Sequence, residues 1–342
     1  MSDAGKNSAF EISPLPGATF GSVVRLAEGS GIRDLIAVAE AASEALPSAL
    51  TQAQGFLLLP GMNAINQEPE LLVRLSRLFG LEVENYLQTL TRKNAIHTEV
   101  PEILIVSNTP PCSRMPPERP DPPLTADGTI PVQFPLRRGW HTDQSYRRPP
   151  PDISLFYAMM TASKGQGQTC YANGIAAYEA LSPEMKERVE RLEGLHVQPG
   201  TGRSEQAVKE GETPRPLAPH ESSLAQPVVR AHPVTGQRAL YLCEGGQMDW
   251  VDGPLVGMEP GLDGDGAKLL YELMTHYTRP EFVYAHDWQE GDLVIYENRS
   301  MIHAATWFDA VAYDRIMWRT TVWGNPGEMY DGEKRSWVPD GN

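Results

Sequence analysis

The feature that most narrows the fold is a series of short apolar runs in the second half of the chain, each closed by glycine, proline or polar residues. "DISLFYAMM" (152–160), "GQTCYAN" (167–173), "EFVYAHDW" (281–288), "GDLVIYENRSMIHAATW" (291–307) and "RIMWRTTVWG" (315–324) are each the length of one or two strands. "QPVVRAHPVTGQRALYLCEGG" (226–246) adds two runs around a Thr-Gly turn, a hairpin signal. Many short strands with turns between them predict an antiparallel barrel or a double-sheet jelly roll. Helices decorate it. "IRDLIAVAEAASEAL" (32–46), "NQEPELLVRLSRLFG" (66–80) and "DGAKLLYELMTHYT" (265–278) carry apolar residues at helical spacing. "NGIAAYEALSPEMKERVERLEG" (173–194) holds one or two more, with Ser182 before Pro183 as a cap and first turn. "GFLLLPG" (55–61) and "EILIVSN" (102–108) read as strands, and the first thirty residues as an irregular or short β start.

Two stretches resist regular structure. Residues 109–138 are so dense in proline that helix and central strand are excluded. This loop is either a linker or a lid over the motif it runs into. Residues 197–226, rich in Gly, Pro and Ser, read as a second loop insertion. The expectation is one catalytic domain over residues 1–342, mainly β with helical decoration (α+β).

Composition removes several classes of function. With 44 acidic against 29 basic residues the net charge is −15, which leaves no basic footprint for nucleic acid. An anionic substrate must therefore be met by a local positive pocket inside an acidic shell. No apolar run is long enough for a transmembrane helix, and the start, "MSDAGKNSAFEISPLPGATFG", lacks the basic and apolar regions of a secretory signal. The expected location is the cytoplasm, with no membrane partner. Cys112, Cys170 and Cys243 are too few and too far apart for a disulfide framework or a thiolate zinc site.

The chemistry gathers around "GWHTDQSYRRPPP" (139–151). On a strand, positions i and i+2 share a face, so His141 and Asp143 can aim an imidazole nitrogen and a carboxylate oxygen at one point. That alone is also a polar turn. Two histidines and one carboxylate with open positions make a non-haem iron site, and the best third ligand is His303, after the strand-like "GDLVIYENR". His196, His220, His232, His276 and His286 read as surface or structural, and His97 as a loop histidine or, alternatively, a substrate anchor. Arg315 and Arg319, four apart on an otherwise apolar strand, share a face; buried there, they are unfavourable unless they meet anions. The alternative is a pair of surface salt bridges.

"WHTDQSY", "ENRSMIHAATW" and "RIMWRTTVWG", in this order, resemble the taurine dioxygenase group of Fe(II)- and 2-oxoglutarate-dependent oxygenases. "LVRLSRLFG", "TCYANGIAAYEALS" and "PVVRAHPVTGQRALYLCEG" look like its connecting segments, so the likeness runs from about residue 56 to 325. The resemblance implies a double-stranded β-helix (jelly roll). It implies His141, Asp143 and His303 as iron ligands and Thr169 with Arg315 on the distal carboxylate of 2-oxoglutarate. Arg319 becomes a second arginine near the metal, facing the anionic end of the substrate. Fe(II), 2-oxoglutarate and O2 are then required, succinate and CO2 are released, and a small, anionic organic molecule is hydroxylated. A hydroxylated carbon bearing a sulfonate, sulfate or aryloxy group would go on to lose it by C–S or C–O cleavage. A homo-oligomer is also implied.

Other readings follow from the same site. It can serve desaturation, cyclisation or epimerisation in a biosynthetic pathway. A non-catalytic jelly-roll binding protein is a further alternative, disfavoured by the intact ligand set. A carboxylate at 143, where a halogenase has glycine, argues against halogenation. Taurine itself fits poorly: where taurine-type members carry a sulfonate-holding histidine, this chain has Asn85 followed by Tyr86. Asn85, Tyr86 and Gln144 are the candidate substrate contacts beside Arg319. Arg137, Arg138, Arg147 and Arg148 bracket the metal motif as a positive mouth or as solvated charges. Trp140, Tyr146, Trp307 and Trp318 are pocket walls or core.

Overall fold

The computed structural model describes residues 9–89, 91–119, 139–244 and 246–336. In chain order the strands are β1 (Phe10–Pro14), β2 (Ser22–Leu26), β3 (Phe56–Leu59), β4 (Glu82–Val83), β5 (Leu104–Ser107), β6 (Ile153–Met160), β7 (Thr169–Asn173) and β8 (Glu193–His196). They continue as β9 (Leu224–Pro227), β10 (Val229–Ala231), β11 (Arg238–Leu240), β12 (Val283–His286), β13 (Leu293–Glu297), β14 (Met301–Ala305) and β15 (Ile316–Trp323). The helices are α1 (Ile32–Ala41), α2 (Ala45–Gln52), α3 (Glu70–Ser76), α4 (Gly174–Glu179), α5 (Pro183–Val189), α6 (Glu205–Lys209) and α7 (Asp265–Tyr277).

A larger sheet runs β1-β2-β3-β13-β6-β15-β4, with β5 also paired to β15; a smaller one runs β12-β7-β14. All pairings are antiparallel except β2 with β3. The two sheets face each other as an open jelly roll, not a closed barrel. Strand alternation explains why. Leu155, Tyr157, Leu293, Ile295 and Trp318 leave the large sheet on one side and pack under α1, α2 and α3. Their neighbours Phe156, Ala158, Val294, Tyr296 and Met317 leave on the other side and meet Tyr171 and Met301 of the small sheet. The outer face of the small sheet, Cys170, Ala172, Ile302 and Ala304, is covered by α4 and α7. Burying both faces of each sheet leaves its odd- or even-numbered residues a single inner layer to share, and the site lies in that layer.

Local departures from the sequence expectations have simple causes. The helix expected over 32–46 is two helices, because Pro47 is tolerated only in a first turn and a new helix must start at Ala45. The helix expected over 66–80 begins after Pro69 and ends at Ser76. Gly80 is not its stop: a Cβ there would lie 2.8 Å from Val322 Cγ1, so glycine lets this turn sit against β15. Ser182 caps α5 as expected, its hydroxyl accepting from Met185 N at 3.2 Å. The stretch 197–226 is not simply a loop, since it contains α6, capped by Ser204, and β9, which pairs with β8. Most of the proline-rich loop lies outside the described residues, and with it Arg137 and Arg138. Among the described residues no helix is long and apolar enough to cross a membrane.

Candidate active site

His141 and His303 face each other across an antiparallel bridge, with His141 N donating to His303 O at 3.0 Å and His303 N to His141 O at 2.7 Å. On β14, Ile302 and Ala304 point outward, so His303 points into the layer between the sheets. Asp143 is not on a strand, as the i, i+2 argument assumed. It lies in a turn just after the bridge, where Gln144 has φ 53° and Thr142 Oγ1 donates to Asn298 O at 2.8 Å. The turn delivers the carboxylate to the place a strand was expected to reach. His141, Asp143 and His303 offer ligand atoms that all lie within 4.8 Å of one another.

Two of the three ligands are held by hydrogen bonds, whereas the buried Nδ1 of His303 has no partner among the described residues. His141 Nδ1 bonds to Gly139 O at 2.7 Å, which directs Nε2 inward. Asp143 Oδ2 accepts from Ser154 Oγ at 2.9 Å and from Tyr296 Oη at 2.7 Å, leaving Oδ1 to face the histidines. Burial pushes the Asp143 carboxyl up, but Arg319, His303, His141 and the Tyr296 hydroxyl outweigh it, so the group is held well below the usual carboxylate range. Burial, with His141 beside it, pushes His303 down to about 3, so the imidazole stays neutral and able to ligate. Burial likewise lowers His141. Two neutral imidazoles and one ionised carboxylate, in this packing, are a donor set that fits Fe(II) with open positions.

Beside them is a cavity of about 260 Å3, whose polar wall includes His141, His303, Thr169, Arg315, Arg319 and Arg114. Arg315 and Arg319 have the same parity as Met317 on the inner face, as their spacing predicted. Arg315 Nε donates to Gly167 O at 3.2 Å, and its buried Nη2 has no partner among the described residues. Gly167, at φ +64°, is needed here, since a Cβ would come within 3.1 Å of Arg315 Cδ. The Thr169 hydroxyl accepts from Trp288 Nε1 at 2.9 Å, which leaves its own proton to donate. An orphaned guanidinium nitrogen next to a hydroxyl proton is a carboxylate-shaped demand, and it fits one end of 2-oxoglutarate. Arg319 differs: its Nη1 bonds directly to Asp143 Oδ1.

The remaining expected residues do not border the cavity. Asn85 caps a short 3-10 turn, accepting from Leu87 N at 3.0 Å. Tyr86 is buried, with its hydroxyl 2.8 Å from Thr321 Oγ1. Gln144 points to Glu84 Oε2 at 2.9 Å. Arg147 is buried against Glu84, and Arg148 pairs with Glu333, so neither forms a positive mouth. Trp140 and Trp318 are core, and Tyr146 and Trp307 are not on the cavity wall. Sequence reasoning passed over Ser154, Tyr296, Asn298, Trp288 and Arg114. Tyr296 was open to detection, being inward by alternation on the run that ends before His303; the others depend on contacts between segments far apart in sequence.

The chain matches the family model for taurine catabolism dioxygenase TauD, TfdA family, over residues 11–321. It belongs to that family. The chain is accordingly an Fe(II)- and 2-oxoglutarate-dependent dioxygenase. Pentalenolactone F synthase of Streptomyces arenae is 31% identical over 316 residues, which cover 90% of this chain and 93% of that relative. An (S)-phenoxypropionate/alpha-ketoglutarate-dioxygenase of Sphingobium herbicidovorans is 33% identical over 193 residues, 55% of this chain and 63% of that protein. The solved structure of AAD-2 with Mn(II) and N-oxalylglycine is similar in fold, with a TM-score of 0.66 at 24% identity over 93% of this chain and 98% of that one.

Proposed function

We propose that this family member oxidises a C–H bond of a small, anionic organic substrate, with His141, Asp143 and His303 holding Fe(II). Thr169 and Arg315 hold the distal carboxylate of 2-oxoglutarate. The observation that carries this is the convergence of three ligand atoms within 4.8 Å beside a cavity whose other polar wall includes Thr169 and Arg315, whose Nη2 has no partner among the described residues. Bound there, iron would activate O2, the oxidant, with 2-oxoglutarate as the co-substrate that is oxidised to succinate and CO2. The protein's own residues do the rest. Ser154 and Tyr296 fix the Asp143 carboxylate, the Gly139 carbonyl fixes His141, and Phe156 and Phe308 keep the cavity partly apolar and exclude water. One catalytic unit is the reading that fits a sheet joining strands from Phe10 to Trp323.

A second reading keeps the site and changes the outcome to desaturation, cyclisation or another biosynthetic step. The observation favouring it is that the synthase from Streptomyces arenae matches over 90% of this chain, against 55% for the phenoxypropionate enzyme. The deciding experiment is anaerobic visible absorption, adding Fe(II) and then 2-oxoglutarate to metal-free protein. A charge-transfer band that saturates with both, and is lost in His303→Ala, is expected. Confirmed iron loading with no band would remove 2-oxoglutarate from the metal and overturn the assignment. Product analysis by mass spectrometry then separates the outcomes: a gain of one oxygen for hydroxylation, a loss of two hydrogens for desaturation or ring closure.

A further inference from the structure

The cavity wall carries a third guanidinium that neither the metal nor 2-oxoglutarate accounts for. Arg114 follows β5 on the described part of the proline-rich segment, and its backbone N donates to Ser107 O at 2.8 Å, the last residue of that strand. Asn94 Nδ2, donating to Pro111 O at 2.8 Å, ties the same segment down from the other side. Ser113, at φ 51°, turns the chain just before the arginine. Arg114 is therefore presented from an anchored position, at the solvent-open rim of the cavity, with no carboxylate partner among the described residues. It is close enough to the site's charges for its pKa to be lowered, by desolvation first and by Arg319 next.

The charges in the cavity sort themselves. Asp143 answers Arg319. In the reading proposed above, one carboxylate of 2-oxoglutarate answers Arg315 and the other goes to the metal. Arg114 then has no anion left, in a wall where burial and a neighbouring Arg114 charge already push Arg315 down to about 10. Several cations converging on a low-dielectric cavity are unfavourable unless another anion enters. The residues beside Arg114 are of a different kind: Met115, Pro116 and Pro117 on its own segment, with Val106 and Phe308 also on the cavity wall. Met115 is largely exposed for so apolar a side chain, as is expected of a surface that waits for an apolar ligand.

We propose that Arg114 anchors and selects the primary substrate, an amphiphile with an oxyanion at one end and an apolar body packed on Met115, Pro116 and Pro117. The anion is held at the rim by the segment after β5, whereas Arg319 donates through Nη1 to Asp143 Oδ1. The body then extends inward, and the carbon to be oxidised is the one that reaches the His141–Asp143–His303 face. Specificity for the acid group and specificity for the oxidised position are thus separated along the cavity. This rests on the iron and 2-oxoglutarate assignment for the direction of the substrate, but the anion preference itself does not.

The test is anaerobic calorimetry on the Fe(II)–2-oxoglutarate holoenzyme with three probes sharing one body: octanoate, octanesulfonate and octanamide. At least one oxyanion should bind the wild type roughly ten- to a hundredfold more tightly than the amide, the range for a charge-assisted hydrogen bond. Arg114→Gln should reduce that preference to about twofold or less while the iron–2-oxoglutarate absorption band persists, and Arg114→Lys should keep part of it. Octanoate ahead of octanesulfonate would assign a carboxylate substrate, and the reverse order a sulfonate or sulfate. Equal binding of acid and amide, no binding of any probe, or a preference that survives Arg114→Gln and disappears in Arg319→Gln would each overturn the proposal. A missing band in the wild type would instead overturn the iron and 2-oxoglutarate assignment, since the anion preference is read separately.

Discussion

Two histidine–carboxylate pairs, each with its histidine on a strand of the smaller sheet, are built to opposite ends. At His286 and Asp292 the pair is closed: His286 Nε2 meets Asp292 Oδ2 at 3.1 Å, His286 Nδ1 meets Tyr284 Oη at 3.1 Å, and Gln289 N donates to the same carboxylate oxygen. At His303 and Asp143 the pair is held open: His303 Nε2 and Asp143 Oδ1 are 4.0 Å apart, beyond hydrogen-bonding distance, and His141 converges on the same point. Both pairs are buried and both use one histidine and one acid. What separates them is where the spare lone pairs go. Hydroxyls from Ser154 and Tyr296 take one oxygen of Asp143 and hold it away from the imidazoles. A histidine beside a carboxylate is therefore weak support for a metal site until the second oxygen of the acid has been traced.

The comparison is broken most directly by removing each acid in turn. Asp143→Ala should abolish Fe(II)-dependent succinate release, whereas Asp292→Asn should keep turnover within a factor of a few and lower stability by about 1–3 kcal/mol in denaturant melts. Wild-type succinate release by Asp143→Ala would sink the ligand assignment. Next in size is Arg315→Ala, expected to weaken 2-oxoglutarate binding by about 2–5 kcal/mol, read as the concentration that half-saturates the absorption band. An unchanged half-saturation point would move that role to another residue. Tyr296→Phe removes one of the two hydroxyls from Asp143 and should lower Fe(II) affinity roughly ten- to a hundredfold, the range for a lost ligand-orienting contact. If iron binds as tightly as before, Ser154 alone positions the carboxylate. The smallest effect is expected for Trp288→Phe, which removes the donor to Thr169 and should cost about 1 kcal/mol of 2-oxoglutarate affinity. A larger loss of iron than of 2-oxoglutarate affinity there would mean that the change reaches the metal side.

The strands were legible because each sheet buries both faces, so apolar runs are continuous and turns stand out between them. The inward placement of Arg315, Arg319 and His303 follows from counting by two along such runs. The candidate ligands were legible for a weaker reason: His141 and Asp143 were placed on a strand, and the geometry instead comes from a bridge followed by a turn that Asn298 and Thr142 hold. Two residues apart happens to converge in both. The helix break before Pro47 was readable in principle, as the proline marks a first turn. Asn85, Tyr86 and Gln144, expected as substrate contacts, do not line the cavity, because proximity in sequence to "LFG" or to the metal motif says nothing about which way the side chain turns; Glu84 draws Gln144 and Arg147 to itself. Arg114 carried no sequence signal, because its importance lies in the absence of a partner among groups brought together only by folding.

The two hydroxyls on Asp143 Oδ2 also bear on which ion the protein accepts. With that oxygen already receiving two hydrogen bonds, the carboxylate can present a single oxygen to the cavity. A large, oxygen-seeking ion such as Ca2+, which gathers six to eight oxygens and readily grips a carboxylate by both, finds here one oxygen and two nitrogens. A small divalent transition ion is suited by that short, nitrogen-rich set. Discrimination between cations would thus fall to a serine and a tyrosine outside the proposed ligand set, and a large excess of Ca2+ over Fe(II) should leave the absorption titration unchanged.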